Sequence, residues 1–551
     1  MPFLATEKCQ LSNKDILSWI FDNPTYDLDK PIYVNSDSPS EYISARQAKL
    51  LIRQLCAGFR KLGLKPGDCV TVHAFNSIYY PIVVLGIIAF GGIFAGTNPA
   101  YTPLELAHHF KTSRTKFLLS ESEILEPLLA AAKENNISRS SILSFDTAKP
   151  LTNTAKIAEG LESWQMLLKY GEEEWARFDD EYVQSTTEAA RFFSSGTTGL
   201  PKAAMDTHRN FVNQHTIMWE YEPRPWKIRR LIALPMFHAA VGPHIHFSPL
   251  RDGVQCFIQR RFALEPYIAA IEKFQITDLI IVPPQVILIL NAPHLTAKYS
   301  FKSLKHAICG AAPLDKDPQA QFEALLAPEA RFTQVWGMTE ATCMVAGFHW
   351  YESDDTGSIG RLKPNMDVKI VDDDGKDISD FDIRGELCIR GPGVVKGYLG
   401  AKEGEVNRKD WDGDGYYHSG DIGYRSSKNG LWYLVDRKKE LIKVRAFQVA
   451  PAELEGVLLM HTGIADAGVI GVRLEDQGSE FPRAYVVRKP NDAGKVLSEA
   501  EVQHYIASQL SSYKRLDGGV VFVDAIPKNA SGKILKRLLR ERAAKELGPK
   551  L

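Results

Sequence analysis

The stretch Ser194-Ser195-Gly196-Thr197-Thr198-Gly199-Leu200-Pro201-Lys202 decides the fold, and it follows the apolar run Ala189-Ala190-Arg191-Phe192-Phe193. Four hydroxyls, two glycines and a lysine stand within these nine residues, at the end of a predicted strand. Glycines let a backbone approach a ligand closely, and hydroxyls and a cation can bind phosphate oxygens. The stretch therefore indicates a phosphate site. It lacks the G-x-x-x-x-G-K-[ST] spacing of a Walker A loop, and taken alone it also fits an ordinary Ser/Thr-rich turn.

The composition is typical of a globular protein with several lobes. The chain has 551 residues, of which 44% are hydrophobic and 24% charged, and this length exceeds one ordinary domain. The net charge of −1 gives no field that would favour nucleic acid or an anionic membrane as a partner. The seven cysteines form no C-x-x-C pair, which favours a reducing compartment over a disulfide framework or a zinc site.

Two segments bear on location. The stretch from Ile78 to Gly96 is nearly uncharged and close to membrane-spanning length, but Pro81 and several glycines interrupt it. We therefore expect a buried helix, then a short strand beginning near Gly92, and no membrane span. The N-terminus lacks the layout of a signal peptide. The C-terminal Pro549-Lys550-Leu551 is an imperfect match to the peroxisomal Ser-Lys-Leu address and equally fits a basic helix tail, so we expect a cytoplasmic or peroxisomal protein.

The hydrophobic pattern predicts an α/β protein with an added α+β unit. Helical patterns such as Ser44 to Leu62 alternate with short apolar runs such as Cys69 to Val72, which predicts parallel sheets covered by helices. After about Gly357 the chain becomes rich in predicted strands. We expect a large multi-sheet N-terminal lobe over residues 1–436, a hinge at 437–439, and a small mobile C-terminal α+β lobe over 440–551.

Four further motifs follow the first loop. They are Thr333 to Glu340 (TQVWGMTE), Tyr416 to Asp421 (YYHSGD), Val435 to Val449 (VDRKKELIKVRAFQV) and Ile526 to Lys533 (IPKNASGK). The first offers an aromatic ring that could stack on a base and a carboxylate that could bind Mg²⁺. The second offers a carboxylate that could accept hydrogen bonds from two ribose hydroxyls. The third and fourth each offer several cations. Each motif taken alone also has an ordinary structural interpretation. The Trp of the first could be a core residue, the Asp of the second a turn residue, and the cations of the other two a solvated charge run.

Together, in this order and spacing, the five motifs resemble the adenylate-forming superfamily of acyl-CoA ligases, luciferases and adenylation domains. The resemblance extends from about residue 20 to residue 540. It is strongest to the hydroxycinnamate–CoA ligase and luciferase branch, because Gln448 to Glu455 (QVAPAELE) reads as in those proteins.

The resemblance implies a role for each motif residue. It implies that Lys533, Thr339 and His238 act in catalysis, that Lys443 serves the thioester-forming arrangement, and that Lys439 is the hinge. Glu340 would bind Mg²⁺. The implied ATP and AMP contacts are Ser194, Ser195, Gly196, Thr197, Thr198, Gly199, Lys202, Gly310, Ala311, Ala312, Gln334, Val335, Trp336, Gly337, Thr339, Asp421, Arg437, Lys439 and Lys533.

The implied CoA contacts are Arg261, Arg445 and Ala446, and three positions depart from the family pattern. Ala446 replaces a glycine beside the expected pantetheine tunnel, where its methyl narrows the path or is accommodated. Val335 replaces the glycine of many aryl-acid ligases and is expected to shorten or reshape the acyl pocket. Trp336 stands where most relatives have Tyr or Phe.

The implied activity is ATP- and Mg²⁺-dependent ligation of an aryl or medium-chain carboxylic acid to coenzyme A. From Met236 to Leu250 there is no Asp or Glu to bind an α-amine, so an amino-acid substrate is disfavoured. Two alternatives stay open: transfer to a carrier-protein pantetheine, and a nucleotide-binding pseudoenzyme. Retention of Lys202, Glu340, Asp421 and Lys533 argues against the pseudoenzyme. The oligomeric state is left open.

Overall fold

The structure is a computed structural model, and it describes residues 1–147, 160–194, 201–438, 440–444, 447–473, 480–510, 512–529 and 532–548. Several predicted site residues therefore lie outside the described residues: Ser195, Gly196, Thr197, Thr198, Gly199, Lys439, Arg445 and Ala446. The same holds for Pro549-Lys550-Leu551 and for the side chain of Lys443.

The α-helices of the described chain are numbered in chain order. They are α1 (Ile16–Phe21), α2 (Ala45–Lys61), α3 (Tyr80–Ala89), α4 (Pro103–Ser113), α5 (Leu125–Glu134), α6 (Glu181–Thr186), α7 (His208–His215), α8 (Gly242–His246), α9 (Ser248–Asp252), α10 (Leu264–Lys273), α11 (Pro283–Leu290), α12 (Pro293–Lys298), α13 (Lys316–Glu323), α14 (Pro451–Leu459), α15 (Asp492–Val496), α16 (Glu499–Gln509) and α17 (Lys536–Leu547).

The strands are numbered in the same way. They are β1 (Pro31–Asn35), β2 (Tyr42–Ser44), β3 (Cys69–His73), β4 (Ile93–Gly96), β5 (Thr115–Ser120), β6 (Ile142–Ser144), β7 (Glu162–Ser163), β8 (Glu188–Ser194), β9 (Lys202–Thr207), β10 (Arg229–Ile232), β11 (Gln255–Ile258), β12 (Asp278–Ile281), β13 (His306–Cys309), β14 (Arg331–Gln334), β15 (Trp336–Met338), β16 (Cys343–Gly347), β17 (Arg361–Leu362), β18 (Asp367–Val371), β19 (Gly385–Arg390), β20 (Tyr398–Leu399), β21 (Val406–Asn407), β22 (Tyr417–Arg425), β23 (Trp432–Arg437), β24 (Ile442–Val444), β25 (Phe447–Val449), β26 (Ile464–Arg473), β27 (Glu480–Arg488) and β28 (Val520–Phe522).

Two mostly parallel sheets form the frame of the large lobe, as the alternating pattern predicted. Within the described chain one sheet has the strand order β21-β20-β9-β8-β4-β3-β5-β6-β7 and the other the order β14-β13-β12-β10-β11-β1-β2. Helix α3 packs against β4 of the first sheet and against the helices α2 and α8. The β-rich part forms an antiparallel sheet β18-β19-β22-β23 and a smaller sheet β15-β16-β17. This mixed α/β architecture confirms the predicted fold class.

The ambiguous apolar stretch is a buried helix followed by a strand. All ten residues of α3 are buried, and β4 begins at Ile93. Among the described helices, none is both long enough and apolar enough to cross a membrane.

The chain after residue 440 forms sheets and a hydrophobic core of its own. The hairpin β24-β25 and the sheet β26-β27-β28 pack with α14 and α16 around the residues Leu454, Val469, Val486 and Ile506. The last helix begins at Lys536. Gly532 has a positive φ of 81°, and the backbone N–H and C=O of Lys533 bond to Asn529, so Lys533 stands in a turn before the helix.

Candidate active site

The first and last residues of the phosphate motif, Ser194 and Lys202, lie on two paired antiparallel strands. β8 ends at Ser194 and β9 begins at Lys202, and these two residues are cross-strand partners. The loop between them lies outside the described residues. The hairpin therefore places the Ser194 and Lys202 side chains at the base of the predicted phosphate loop.

Lys202 is connected to Glu340 through a tyrosine that the sequence did not single out. Its Nζ lies 2.9 Å from Oδ2 of Asp410 and 4.5 Å from the ring centre of Tyr398. The Tyr398 hydroxyl donates to Oε1 of Glu340 at 2.5 Å and lies 3.1 Å from the hydroxyl of Tyr417. Burial and the Glu340 carboxylate raise the pKa of Tyr398, so its hydroxyl stays a donor. The structure thus joins the predicted phosphate lysine to the predicted metal ligand.

The predicted base and ribose residues meet at Asp421. The indole Nε1 of Trp336 donates to Oδ2 of Asp421 at 2.8 Å, and Nε of Arg437 lies 3.0 Å from Oδ1. Asp421 and Arg437 are also cross-strand partners between β22 and β23. Asp421 raises the pKa of Arg437, which keeps this guanidinium charged. The predicted stacking of Trp336 on a base stays a prediction.

Lys533 enters the same region from the small lobe. Burial and the nearby positive charge of Arg437 lower the pKa of Lys533, and Glu440 and Asp421 oppose that shift. The adjacent Gly532 touches the large lobe so closely that a Cβ there would lie 2.6 Å from Cγ of Pro284. The two lobes are therefore in contact, with Lys533 beside Arg437 and Asp421.

A buried ion cluster lies near Lys533, and no local sequence pattern predicts it because its members come from three segments. Lys536 is 6% exposed, and its Nζ lies 3.2 Å from Oε1 of Glu455 and 3.4 Å from Oε2 of Glu440. Lys536 also counteracts the burial that raises the pKa of Asp436. Oδ2 of Asp436 accepts the backbone N–H of Ala452 at the start of α14. The cluster thus ties β23 to the small lobe.

The predicted adenine wall follows β13. Gly310 and Ala311 begin it, and Ala311 adopts a positive φ of 72°. Ala312 continues the same segment. The Gln334 side chain accepts from the backbone N–H of Leu314 at 2.8 Å and donates to its carbonyl at 2.9 Å, so it holds this wall in place.

Gly337 and Thr339 lie at the end of β15 and in the turn after it. A Cβ at Gly337 would lie 1.9 Å from the carbonyl oxygen of Cys343, so the adjacent chains require glycine. Thr339 opens the short helical turn Thr339–Ala341, and Glu340 in that turn is 5% exposed.

His238 is a neutral imidazole held by its own turn. Burial lowers the pKa of His238 to about 4. Its Nδ1 accepts the backbone N–H of Ala240 at 3.1 Å, so the proton of the neutral ring is on Nε2. The ring can therefore donate one hydrogen bond from Nε2 at neutral pH.

The predicted CoA contact that the structure describes lies at the surface. Arg261 stacks over the ring of Phe75 at 4.5 Å, and its guanidinium lies 3.6 Å from Oε1 of Glu123. Arg260 stacks on the same ring at 4.3 Å, but it is half-buried and pairs with Glu121 and Glu123. The predicted roles of Arg261, Lys443, Arg445 and Ala446 stay predictions.

Sequence reasoning missed Asp410 and Tyr398. Asp410 lies in a loop, and Tyr398 in a two-residue strand that pairs with β9 at Ala204. Asp410 contacts Lys202 across 208 positions of the chain, and Tyr398 contacts Glu340 across 58. Local sequence patterns therefore could not predict these contacts. Tyr417 belonged to a quoted motif, but only its neighbour Asp421 was assigned a role.

This fold and cleft define the AMP-binding enzyme family, to which the chain belongs. The family model for AMP-binding enzymes matches residues 22–399, and the model for their C-terminal domain matches residues 453–533. The hinge predicted at 437–439 falls between the two matches and stays a prediction.

Individual relatives agree with this assignment. The phenylacetyl-CoA ligase epaB of Aspergillus niger is 50% identical over 537 residues, which is 97% of this chain and 98% of that protein. The nicotinic acid-CoA ligase pyr1 of Aspergillus fumigatus is 34% identical, with 96% and 97% covered. ATP-bound MatB from Rhodopseudomonas palustris superposes with a TM-score of 0.80 at 25% identity, covering 98% of this chain and all of that one. The anthranilate CoA ligase AuaEII, at 20% identity and a TM-score of 0.84, has the same fold.

Proposed function

We propose that this protein is an ATP-dependent acid–CoA ligase that activates an aryl or medium-chain carboxylic acid. The observation that supports it most is the network at Asp421, which accepts a hydrogen bond from Trp336 and pairs with Arg437, while the charges of Arg437 and Asp421 act on the pKa of Lys533. The enzymatic class agrees with the relatives, several of which are named acid–CoA ligases.

The first half-reaction joins two anions. The acid's carboxylate oxygen attacks the α-phosphorus of ATP, the bond to the β-phosphate oxygen breaks, and pyrophosphate leaves. Positioned cations stabilise the charge that develops, and Lys533 and Lys202 supply two of them. Trp336, Asp421 and Arg437 would hold the nucleoside in line for attack.

A divalent metal fits beside this cleft. The Glu340 carboxylate is an oxygen ligand of the kind that Mg²⁺ takes, and Tyr398 holds its orientation through Oε1. The bound Mg²⁺ would neutralise phosphate charge. Glu340 would provide the protein ligand, together with the phosphates.

In the second half-reaction the CoA thiolate attacks the acyl carbonyl, the thioester forms and AMP leaves. In the proposed mechanism Lys533 would not take part in this step, because the small lobe would have carried it away from the cleft. The small lobe would turn about the hinge and present Lys443 in its place, as the resemblance implies. His238, with its proton on Nε2, would stand between the acyl carboxylate and the thiol channel.

A panel of carboxylic acids tests the proposal. We expect acid-dependent pyrophosphate release without CoA, and thioester product with CoA by mass spectrometry. Thioester on a carrier protein but none on free CoA would instead support a carrier-loading enzyme. Absence of pyrophosphate release across the panel would overturn the assignment and favour a nucleotide-binding pseudoenzyme.

For location we infer the cytoplasm or the peroxisome. All seven cysteines are free, which suits a reducing compartment. Fluorescent fusions with and without the last three residues test whether Pro549-Lys550-Leu551 acts as a peroxisomal address. If the distribution is the same for both fusions, the peroxisomal assignment is dropped and the cytoplasmic one is kept.

A further inference from the structure

Helix α4 contacts the chain immediately before the predicted phosphate lysine. The imidazole Nε2 of His108 lies 2.9 Å from the carbonyl oxygen of Pro201, the residue directly before Lys202. A carbonyl oxygen accepts hydrogen bonds and cannot donate them, so Nε2 carries the proton and is the donor. His108 is half-buried, and its bond restrains the backbone from which the Lys202 side chain begins.

The helix that carries His108 is fixed by its own sequence. Thr102 and Glu105 form a capping box at its start, in which each side chain accepts the backbone N–H of the other residue. Leu106 and Phe110 are buried in a hydrophobic cluster with residues of α5. The side chain of His108 therefore projects from a well-anchored helix.

The same helix is attached to β8, the strand that pairs with β9. His109 is 1% exposed, and its ring stacks on that of Phe193 with centroids 3.6 Å apart. The buried Arg191 donates from Nη1 to the carbonyl oxygen of Ser113, the last residue of α4, at 2.7 Å. Phe193 and Arg191 both belong to β8. Helix α4 thus holds one strand of the pair by packing, while His108 holds the start of the other.

The end of α4 also contacts the segment that carries Tyr398. Arg114 caps the helix in the left-handed conformation, with a φ of 54°. Its Nη2 donates to the carbonyl oxygen of Gly400 at 2.8 Å and to that of Lys402. Gly400 directly follows β20, whose Tyr398 ring lies 4.5 Å from Nζ of Lys202. Helix α4 therefore restrains both the backbone before Lys202 and the segment whose ring lies under its ammonium group.

The placement of Lys202 matters because its charge is carried on a long side chain. A lysine ammonium is a point charge at the end of a flexible stem, so its backbone and its contacts must set its position. A cation stabilises developing phosphate charge only where that charge forms, and a misplacement of about 1 Å can cost on the order of a hundredfold in rate. Loss of the bond to Pro201 would release the backbone at Lys202.

We propose that His108 is a positioning residue for the adenylation half-reaction: it holds the carbonyl of Pro201 and thereby sets the position of the Lys202 ammonium against the phosphates of ATP. This inference rests on the proposed acid–CoA ligase function. It adds a residue that contacts no substrate and acts on the first half-reaction alone, because the phosphates that Lys202 binds have left as pyrophosphate before the thiol attacks.

A matched pair of substitutions at one position tests the inference. His108→Gln keeps an N–H donor that can reach Pro201, whereas the shorter His108→Asn does not, and both stay polar at a half-buried place. We would measure kcat/KM for ATP by pyrophosphate release, using the full-length protein and the acid of the panel that gives the highest rate. His108→Asn should lower this value by about tenfold, and His108→Gln should stay within about twofold of the unchanged protein.

The second half-reaction is the readout that a merely structural role would not spare. Thioester formation from supplied acyl-adenylate and CoA should be the same in His108→Asn as in the unchanged protein. Lys111→Gln, at an exposed position of the same helix, is the control and should alter neither half-reaction. Equal losses in both half-reactions of His108→Asn would show a general effect on folding and overturn the inference.

A double-mutant cycle tests whether His108 acts through Lys202. In a Lys202→Ala background, His108→Asn should change kcat/KM for ATP by less than about twofold, because no ammonium is left to position. Losses that multiply independently would overturn the inference, as would an unchanged kcat/KM in His108→Asn alone; both results leave the ligase function standing. Absence of pyrophosphate release and of thioester from the unchanged protein with every acid would overturn the function and this inference together.

Discussion

The Nζ atom of Lys536 lies 3.2 Å from Oε1 of Glu455, inside the small lobe and three positions after the catalytic candidate Lys533. The same ammonium group lies 3.4 Å from Oε2 of Glu440. Since Lys533 itself interacts with Glu440, the pair positions the reactive lysine as well as the helix that follows it. Lys536 therefore joins the stability of the small lobe to the placement of Lys533.

Replacing Lys536 with Met should destabilise the protein strongly. The change leaves the carboxylates of Glu455 and Glu440 buried without their cation, and breaking a buried pair in this way costs about 3–5 kcal/mol. Urea denaturation measures the loss. Arg537→Met is the matched control, because Arg537 is exposed and its pair with Glu541, one turn on, lies at the surface; this variant should change stability little. Equal effects of the two variants would contradict the cluster's importance.

Lys533→Ala should separate the two half-reactions. We expect the rate of adenylate formation, measured as pyrophosphate release, to fall by about a hundredfold or more. This is in line with the loss of one preorganised charge-stabilising group. Thioester formation from supplied acyl-adenylate should be retained. The control is Lys528→Ala in the same loop, whose ammonium pairs with Asp466 at 2.6 Å. Equal damage to both half-reactions in Lys533→Ala would defeat the two-arrangement mechanism.

Glu340→Gln should raise the Mg²⁺ concentration needed for half-maximal adenylation by roughly tenfold, because the variant loses the charged oxygen ligand. Titration of Mg²⁺ at fixed ATP and acid gives this value. Glu126→Gln, an exposed carboxylate on α5, serves as the control. An unchanged Mg²⁺ requirement would remove Glu340 from the metal site.

Gly310 and Val335 should behave as a coupled pair. A Cβ at Gly310 would lie 2.8 Å from Cγ2 of Val335, so Gly310→Ala is expected to reduce kcat/KM with phenylacetic acid by about tenfold or more. Adding Val335→Gly should restore much of that loss, which a double-mutant cycle measures. Gly413→Ala, where an added Cβ meets nothing within 4 Å, should have no effect. Additive losses would show that the two residues do not share space.

The protein should lose stability steeply as the pH falls below about 6.5. Burial lowers the pKa values of six histidines to about 3 or 4: His73, His109, His208, His238, His244 and His246. The unfolded chain takes up protons at its ordinary pKa of about 6.5 while the native state does not, so stability is present above that pH and declines below it. At pH 5 each histidine would cost about 2 kcal/mol.

Urea titrations at pH 7 and pH 5 measure this decline. His109→Phe should reduce the loss of unfolding free energy between pH 7 and pH 5 by about the contribution of one histidine. The His109 ring stacks on Phe193 with centroids 3.6 Å apart, so an apolar ring fits in its place. The exposed His504→Phe should not. A stability equal at the two pH values would contradict the expectation.

The sequence predicted the fold class and the order of the motifs because their signals are local. The strand that leads into the loop at Ser194, the helix α3 and the strand β4 follow from hydrophobic runs, glycines and prolines within a few residues. The resemblance across five motifs then implied that Trp336, Asp421, Arg437 and Lys533 share a cleft, and the structure places Trp336, Arg437 and Lys533 around Asp421.

The parts that escaped prediction are long-range pairings of ordinary residues. Asp410 in a surface loop and Tyr398 in a two-residue strand acquire meaning only when the chain brings them to Lys202 and Glu340.

The contact between Gly532 and Pro284 has a consequence for turnover. Glycine has no side chain, and proline has a rigid ring and no backbone N–H. The side chains of the two residues therefore supply no hydrogen bond and no charge that would have to be broken when the lobes separate. A contact of this kind packs closely but contributes little to the binding between the lobes. In the proposed mechanism the small lobe turns about the hinge after adenylation, and a contact of this kind would let the two lobes separate easily.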